Sequence, residues 1–225
     1  GHTLVQWAYQ QTPGSHIWCV RDDGILLVLT YLKEHQIFGW SRHVTQGRVL
    51  SVAAISGDNG DVVLLAVQRE VEGRPRVFLE RLAEAFAPDT AVENAFFVDC
   101  GITVCSTEGV RTMTGLDHLE GCALAVLADG SPVEGCVVRK GGIELPYAAR
   151  IVHAGLPYAS VLSPLPVEAD TRQGSTLGRH RGHGRCVVRL FRSVGGQYGS
   201  SRRKLDDFPF LPARWGQPCE PYSGD

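Results

Sequence analysis

Six short apolar runs follow one another near the start of the chain: His16-Ile-Trp-Cys-Val-Arg21, Ile25-Leu-Leu-Val-Leu-Thr-Tyr31, Ile37-Phe-Gly-Trp-Ser-Arg-His43, Arg48-Val-Leu-Ser-Val-Ala-Ala-Ile55, Val62-Val-Leu-Leu-Ala-Val67 and Arg76-Val-Phe-Leu-Glu-Arg-Leu82. Each has the length of a strand and is rich in β-branched or aromatic residues. Turn sequences such as Asp22-Asp23-Gly24 separate them, and glycine supplies the positive φ that tight hairpins need. Runs joined by such turns pair antiparallel, so the sequence predicts an all-β scaffold.

Further short strands are predicted after Pro88-Asp89, where we place a domain boundary following one helical turn at 83–87. They cover 95–100, 102–105, 123–127, 136–139, 143–145 and 149–154, and one more strand is predicted at 186–191. Short strands at this spacing favour a small barrel or sandwich. The predicted organisation is a propeller-blade-like β-meander at 1–90, a small β-barrel or sandwich module at 91–168, and a basic strand with an extended arm at 169–225 that returns to the first domain.

Composition restricts the class of protein. With 225 residues, 44% of them hydrophobic, the chain can bury a substantial core. Its apolar runs are all shorter than the ~20 residues of a membrane span, so no membrane anchor is expected. The seven cysteines are odd in number and scattered, which favours reduced core thiols over a disulfide framework. The sequence begins inside a predicted strand and ends at a predicted turn, and we expect it to be a C-terminal fragment of a longer protein.

The basic residues are unevenly distributed. Between Thr171 and Leu205 there are nine Arg and Lys residues and no acidic ones, which leaves 13 basic against 24 acidic residues, a charge of −11, elsewhere. Such a segment suits contact with a polyanion or an acidic subunit, and it equally suits a solvated loop without a partner. The candidate polyanion-contact residues are Arg179, Arg181, Arg185, Arg202, Arg203 and Lys204.

Motifs for metal and nucleophilic chemistry are weak. His180-x-x-His183-x-x-Cys186 has ligand types at short spacing, but it lacks a CxxC pair and lies among arginines. No G-x-S-x-G elbow, phosphate-binding glycine loop or EF-hand spacing is present. We therefore predict no catalytic residue, no cofactor and no metal.

Two features leave a carbohydrate-related alternative open. Asp22-Asp23 and Asp58-x-x-Asp61 lie in turns, where aspartate is favoured for local hydrogen bonding, but a glycosidase pair would look the same. Trp18 and Trp40 suit either a sugar-stacking platform or packing between neighbouring strands. His43, His118 and His153 are interpreted as structural histidines.

Two strings resemble one family of proteins. Trp18-Cys-Val-Arg-Asp-Asp-Gly-Ile-Leu-Leu-Val-Leu-Thr-Tyr31 with Gly39-Trp-Ser-Arg-His43 resembles the propeller-type blade of tail structural proteins from short-tailed bacteriophages and prophages, of the tail nozzle or tail tubular protein B type. Gly115-Leu-Asp-His-Leu-Glu-Gly121, Val126-Leu-Ala-Asp-Gly130 and His153-Ala-Gly-Leu-Pro-Tyr158 resemble the module that follows it. The resemblance covers about residues 4 to 165 and does not extend to the insertion at 179–185.

The resemblance implies a virion part without an active site. Its subunits would be made in the bacterial cytoplasm and would assemble, with each other and with other tail or connector proteins, into a ring in the virion tail that conducts DNA. The alternative is a carbohydrate-binding or carbohydrate-active β protein that uses Trp18, Trp40 or Trp215 as stacking surfaces.

Overall fold

A computed structural model describes residues 1–164, 170–171, 174–175, 187–193, 196–208 and 222–224. The chain is an all-β protein, as predicted. It divides into two compact units, Gly1–Tyr158 and Ala159–Asp225. Within the described ranges no helix is long and apolar enough to cross a membrane.

The first unit contains eleven strands and three short 3-10 turns. The strands are β1 (Leu4–Gln10), β2 (His16–Arg21), β3 (Leu26–Leu32), β4 (Ile37–His43), β5 (Arg48–Gly57), β6 (Gly60–Val71), β7 (Arg74–Arg81), β8 (Asp99–Thr114), β9 (Ala125–Ala128), β10 (Ser131–Val133) and β11 (Gly142–Leu156). The 3-10 turns are Lys33–His35, Val92–Asn94 and Asp117–Leu119. All six apolar runs at the start of the chain are strands.

The meander forms two antiparallel sheets. One has the order β1-β2-β3-β4 and the other β5-β6-β7, so each strand pairs with its neighbour in sequence. Gly24, with φ 84°, makes the tight turn between β2 and β3, where a side chain would be strained. The inner faces of the two sheets pack together around Trp18, Val20, Val52 and Val67. Alternate residues of every strand therefore point away from this core.

The predicted helical turn at 83–87 is wrong. Residues 82–87 have no regular structure, and the nearest 3-10 turn is Val92–Asn94. Five residues are too few to nucleate a helix alone, and Pro88 disfavours the helical conformation of the residue before it. The backbone N–H of Leu82 still bonds to the Val63 carbonyl at 2.9 Å, so β7 leads into an irregular connection.

The remaining strands of this unit form one sheet, with the order β10-β9-β11-β8. Its core contains Met113, Leu116, Val138 and Val152. The runs predicted at 143–145 and 149–154 belong to the single strand β11, whose pairing with β8 shifts register between Glu144 and Ala149. Residues 95–98 are not a strand, and Cys136–Arg139 contributes only isolated bridges. Over the described residues no sheet closes into a barrel.

The second unit consists of two-stranded pairs where it is described. Its strands are β12 (Asp170–Thr171), β13 (Gly174–Ser175), β14 (Leu190–Ser193), β15 (Gln197–Ser201), β16 (Lys204–Asp207) and β17 (Tyr222–Gly224). They pair as β12-β13, β14-β17 and β15-β16. The strand predicted at 186–191 is confirmed only from Leu190 onward, because residues 187–189 have no strand conformation and Cys186 lies outside the described residues.

Candidate assembly surfaces and polar clusters

Three of the six candidate polyanion-contact residues meet at one hairpin tip. Arg202 and Arg203 form the two-residue turn between β15 and β16, and Lys204 begins β16. All three are exposed. Arg179, Arg181 and Arg185 lie outside the described residues. Three exposed cations in succession provide a compact positive group that suits phosphate or carboxylate ligands.

The most highly connected polar residue is Arg69 on β6. Its side chain is 3% exposed and makes a two-pronged ion pair with Glu80, with N–O distances of 2.6 and 2.7 Å. It also donates to Asp99 at 3.0 and 3.3 Å and to the Thr45 hydroxyl at 2.8 Å. Burial lowers the pKa of Arg69, but the Glu80 hydrogen bond and the Asp99 charge outweigh it, and the pKa lies above its ordinary value. The guanidinium is thus a fixed charge that connects β6, β7 and the start of β8.

A β-bulge places Asp99 beside Arg69. The pairing of β8 with β11 shifts register between Ala154 and Leu156, opposite Gly101. At this point a Cβ on Gly155 would lie 2.7 Å from the Asp99 carbonyl oxygen, so the two backbones approach as only glycine permits. Cys100 has φ 50°, the left-handed conformation. Bulges commonly re-aim a side chain, and here the re-aimed side chain is the Asp99 carboxylate.

Three of the described thiols, those of Cys19, Cys100 and Cys136, are not activated for nucleophilic chemistry. Burial, followed by the nearby Glu80 charge, raises the pKa of Cys100 to about 12. Burial also raises the pKa values of Cys19 and Cys136. Since the thiolate is the reactive form, these groups are inert near neutral pH.

Cys105 differs from the predicted core thiols because it is exposed. It lines an open depression of about 440 Å³ together with Ser106, Thr107, Arg150 and Ile151. The lining contains neither a histidine nor a carboxylate that could take the thiol proton. Cys186 and Cys219 lie outside the described residues.

His153 is a buried structural histidine, as its position in a strand predicts. Its Nε2 donates to the Glu93 carbonyl oxygen at 2.9 Å, and its Nδ1 accepts from the Thr103 hydroxyl at 2.7 Å. Phe96 packs edge-on against the ring. Burial lowers the pKa of His153, partly offset by the Glu93 hydrogen bond. The ring is therefore held neutral and fully hydrogen-bonded.

The turn aspartates have local structural roles. Asp61 accepts from the backbone N–H groups of Thr12 and Gln11, at 3.1 and 2.7 Å, and so ties the β1-β2 turn to the β5-β6 turn. These hydrogen bonds lower the pKa of Asp61. Asp23 pairs with Arg21, mainly through a side-chain hydrogen bond that lowers its pKa to about 2. A carboxylate with so low a pKa is a poor general acid.

One exposed group could accommodate a metal ion. Of the residues that the structure describes, His2, Asp22 and Asp23 bring three ligand atoms within 4.8 Å of one another. Asp22 already accepts from the Thr3 backbone N–H, and Asp23 is paired with Arg21. We assign no ion to this group. The residues of the His180, His183 and Cys186 motif lie outside the described ranges.

Trp18 and Trp40 do not pack against each other. They lie on β2 and β4, which β3 separates, and the interpretation as a cross-strand pair on neighbouring strands is wrong. Trp18 is aligned with Val28 and then Ser41, whereas Trp40 is aligned with Leu29 and then Ile17. The alternation of a strand therefore puts the two indoles on opposite faces. Trp18 is 4% exposed in the core, and Trp40 is 60% exposed.

The outer face of the β1–β4 sheet is aromatic and open to solvent. We call it the aromatic face and define it by three aligned rows of residues. They are Trp7-Cys19-Leu27-Arg42, Tyr9-Ile17-Leu29-Trp40 and Tyr31-Phe38. Trp7, Tyr9, Tyr31, Phe38 and Trp40 are all exposed. This surface was not predicted from the sequence, although the alternation of Trp7 and Tyr9 along β1 could have indicated it.

No protein-family model matches this chain, and no curated protein matches it.

Proposed function

We propose that this chain is a non-enzymatic structural protein of the tail of a short-tailed bacteriophage or prophage. It would be one subunit of a ring that conducts DNA, made in the bacterial cytoplasm and assembled with itself and with other tail or connector proteins. The observation that carries the proposal is the aromatic face, which presents Trp7, Phe38 and Trp40 to solvent on a regular sheet. Exposed apolar patches of this kind mark protein contact surfaces. The resemblance of residues 18–31 and 39–43 to the propeller-type blade of tail proteins supports the same assignment.

The buried polar groups are consistent with a structural role. Arg69, His153 and Gln10 each have a hydrogen-bond partner within the fold. Gln10 accepts a hydrogen bond from the Trp18 indole at 3.0 Å. Their hydrogen-bonding capacity is used to fix strands and connections.

A carbohydrate-binding function is the second candidate, and the exposed Trp7 and Trp40 favour it. Trp18 cannot take part because it is buried, and Trp215 lies outside the described residues. Sugar sites combine stacking rings with polar groups that bind hydroxyls. The rings of the aromatic face are instead surrounded by aliphatic side chains such as Leu27 and Leu29. This composition supports protein contact better than carbohydrate binding.

Mass spectrometry of induced phage particles tests the proposal. Particles from the source strain are purified and searched for the tryptic peptide from Thr112 to Arg139. We expect it at the abundance of other tail proteins. Its absence from intact particles that contain their remaining tail proteins would refute the proposal.

The second candidate has its own measurement. A glycan array and a reducing-sugar assay are run on the same purified protein. Blank results in both would remove the carbohydrate function. Binding that Trp40→Ala abolishes would replace the tail assignment with that candidate.

A further inference from the structure

We infer that the aromatic face binds the aromatic face of a second copy of this chain, with a two-fold axis parallel to the strands. This inference rests on the proposed function only for its expectation of self-association. A two-fold contact between identical faces closes on two copies, so a ring of copies requires a further head-to-tail contact through other surfaces.

The exposed aromatic area lies in the upper part of the ~300–600 Å² range of the largest apolar patch on a typical monomer. Trp7, Phe38 and Trp40 are 67%, 61% and 60% exposed, and Tyr9 is 48% exposed. An aromatic side chain offers about 150–250 Å² to solvent, so these rings with Tyr31 expose about 500 Å². Half-buried Ile17, Leu27 and Leu29 fill the centre. Together they approach the ~800 Å² per partner of a standard interface.

The composition is that of an interface core. Aromatic residues and arginine are enriched at the centres of protein interfaces, whereas lysine, aspartate and glutamate are depleted. In the three rows of the aromatic face Arg42 is the only charged residue. Within these rows a partner with the same composition buries apolar surface against apolar surface, and each copy contributes one charge.

The alignment of the rows makes the face complementary to itself. Trp7 and Arg42 end one row on the two edge strands, and Tyr9 and Trp40 end the next. A two-fold axis parallel to the strands exchanges the edges and keeps each row at its height. Trp7 of one copy then lies over Arg42 of the other, and Tyr9 lies over Trp40. The cation rests on an indole, a favourable contact within about 6 Å of the ring centre.

Other surfaces fit this pattern less well. The outer face of the β5–β7 sheet exposes Val77 and Leu79, but it also carries Arg81 and Gln68 and has no aromatic residue in those rows. It therefore provides a matched control. Leu79 is 77% exposed and lies on a regular strand, as Trp40 does.

The test is the self-association of the wild-type chain and two variants by sedimentation equilibrium and light scattering. We expect a dimer whose Kd rises about a thousandfold with Trp40→Glu, because a two-fold interface contains the Trp40 contact twice and each copy of that contact is a hot spot of about 2 kcal/mol. Leu79→Glu should leave the Kd within about twofold. If Trp40→Glu failed to fold by circular dichroism, Phe38→Glu on the same face would replace it.

A cross-linking experiment tests the axis. In a background with Cys105, Cys186 and Cys219 replaced by serine, Trp7→Cys and Arg42→Cys subunits are mixed and treated with a bis-maleimide of about 10 Å, the spacing of packed sheets. We expect cross-links between the two variants and few within Trp7→Cys alone. Preferential Trp7→Cys homodimers would overturn the proposed axis.

Two results would overturn the docking surface. One is a strictly monomeric wild-type chain at about 100 μM, well above the micromolar affinity of a weak standard interface. The other is dissociation by Leu79→Glu while Trp40→Glu has no effect. A dimer through the aromatic face with no peptide in phage particles would keep this inference and refute the tail function. A particle component that is monomeric, or that binds glycans through Trp40, would refute this inference.

Discussion

At the scale of single residues, Arg69 shows what a buried charge contributes to this fold. Its N–H groups have acceptors on Glu80, Asp99, Thr45 and the Gln46 backbone. A buried ion pair is seldom a large net gain, because the desolvation of both partners offsets their attraction. Removing one partner of such a pair is costly, however, because the remaining charges stay largely buried without a counter-charge. Arg69 thus lowers the free energy of the native arrangement of β6, β7 and β8 relative to arrangements that leave these charges unpaired.

Replacing Arg69 should reveal this asymmetry. Arg69→Met leaves the Glu80 and Asp99 carboxylates unpaired, and we expect the free energy of unfolding to fall by about 3–5 kcal/mol in urea denaturation. Arg81→Met on the outer face of β7 is the matched control and should change it by less than about 0.5 kcal/mol. Equal effects of the two substitutions would contradict the role of the cluster.

His153 predicts a pH dependence. Burial keeps its pKa in the folded state below the ordinary value of about 6.5, so the unfolded chain binds more protons as the pH falls past that value. The contribution of the neutral ring to stability is full above about pH 6.5 and is lost as the pH falls toward the folded-state pKa. The slope is at most about 1.4 kcal/mol per pH unit.

Urea denaturation at pH 7.5 and pH 5.5 measures the effect. His16 also has a pKa lowered by burial, so the wild-type slope includes its share. His153→Gln removes one titrating group, and the difference between the two proteins isolates His153. Identical slopes would show that the ring does not titrate differently in the folded chain.

Residue types alone predict the roles of only some single residues. The interpretation of His153 as a structural histidine agrees with its hydrogen bonds to Thr103 and Glu93. The tryptophans could not be assigned in the same way, because burial depends on which face of β2 or β4 points to the second sheet. Only the register separates Trp18 from Trp40.

At the scale of elements, the bulge between β8 and β11 depends on a close backbone approach at Gly155. Gly155→Ala would put a methyl group 2.7 Å from backbone atoms of Asp99 and Gly101, so we expect a loss of about 1–3 kcal/mol in the free energy of unfolding. Gly39→Ala is the control because nothing lies within 4 Å of its Cβ position on β4. A Gly155→Ala protein as stable as Gly39→Ala would show that the strands can separate without cost.

The β15-β16 hairpin gives a second prediction. Replacing Arg202, Arg203 and Lys204 by glutamine should weaken binding to duplex DNA at 50 mM salt and reduce the slope of log K against log salt by about 1 for each cation that contacts a phosphate. Arg74→Gln with Arg76→Gln on β7 is the control. Unchanged affinity and slope in the hairpin variant would remove these residues as the DNA contact.

The sequence located strands well and connections poorly. All six runs of the meander are strands because alternation, β-branched residues and turn signals agree there. The sequence predicts two strands where the structure has the single strand β11, because Pro146 resembles a break between strands. In the structure this proline lies at a register shift in the pairing of β11 with β8. No helical turn forms at 83–87, because the helix propensity of five residues is too small to overcome Pro88 and the lack of a packing partner.

At the scale of the whole molecule, the boundary between the two compact units should be accessible. Residues 157–164 have no regular structure, and Leu162 is 91% exposed. Limited chymotrypsin digestion should therefore cut first after Tyr158 or Leu162, and mass spectrometry should find an intact fragment that begins at Gly1. A first cut inside β1 to β11 would contradict the assignment of Gly1–Tyr158 as one unit.

The domain plan and the candidate surface differ in how far a sequence can predict them. Two separate hydrophobic clusters lie on either side of residue 90, around Trp18 and around Met113, while the contacts within Gly1–Tyr158 make one compact unit. The boundary at 90 and the return of the arm at 169–225 remain predictions. The aromatic face arises from four strands in register, so no single stretch of sequence contains it.

The division of the tryptophans between core and surface also has an optical consequence. Trp18 emits from an apolar surrounding, whereas Trp7 and Trp40 emit from water. Indole emission shifts to shorter wavelength when water is removed, and aqueous quenchers reach only rings that solvent reaches. Among the three tryptophans that the structure describes, the intrinsic fluorescence therefore contains two populations, one that reports on unfolding and one that reports on whatever covers the β1–β4 sheet.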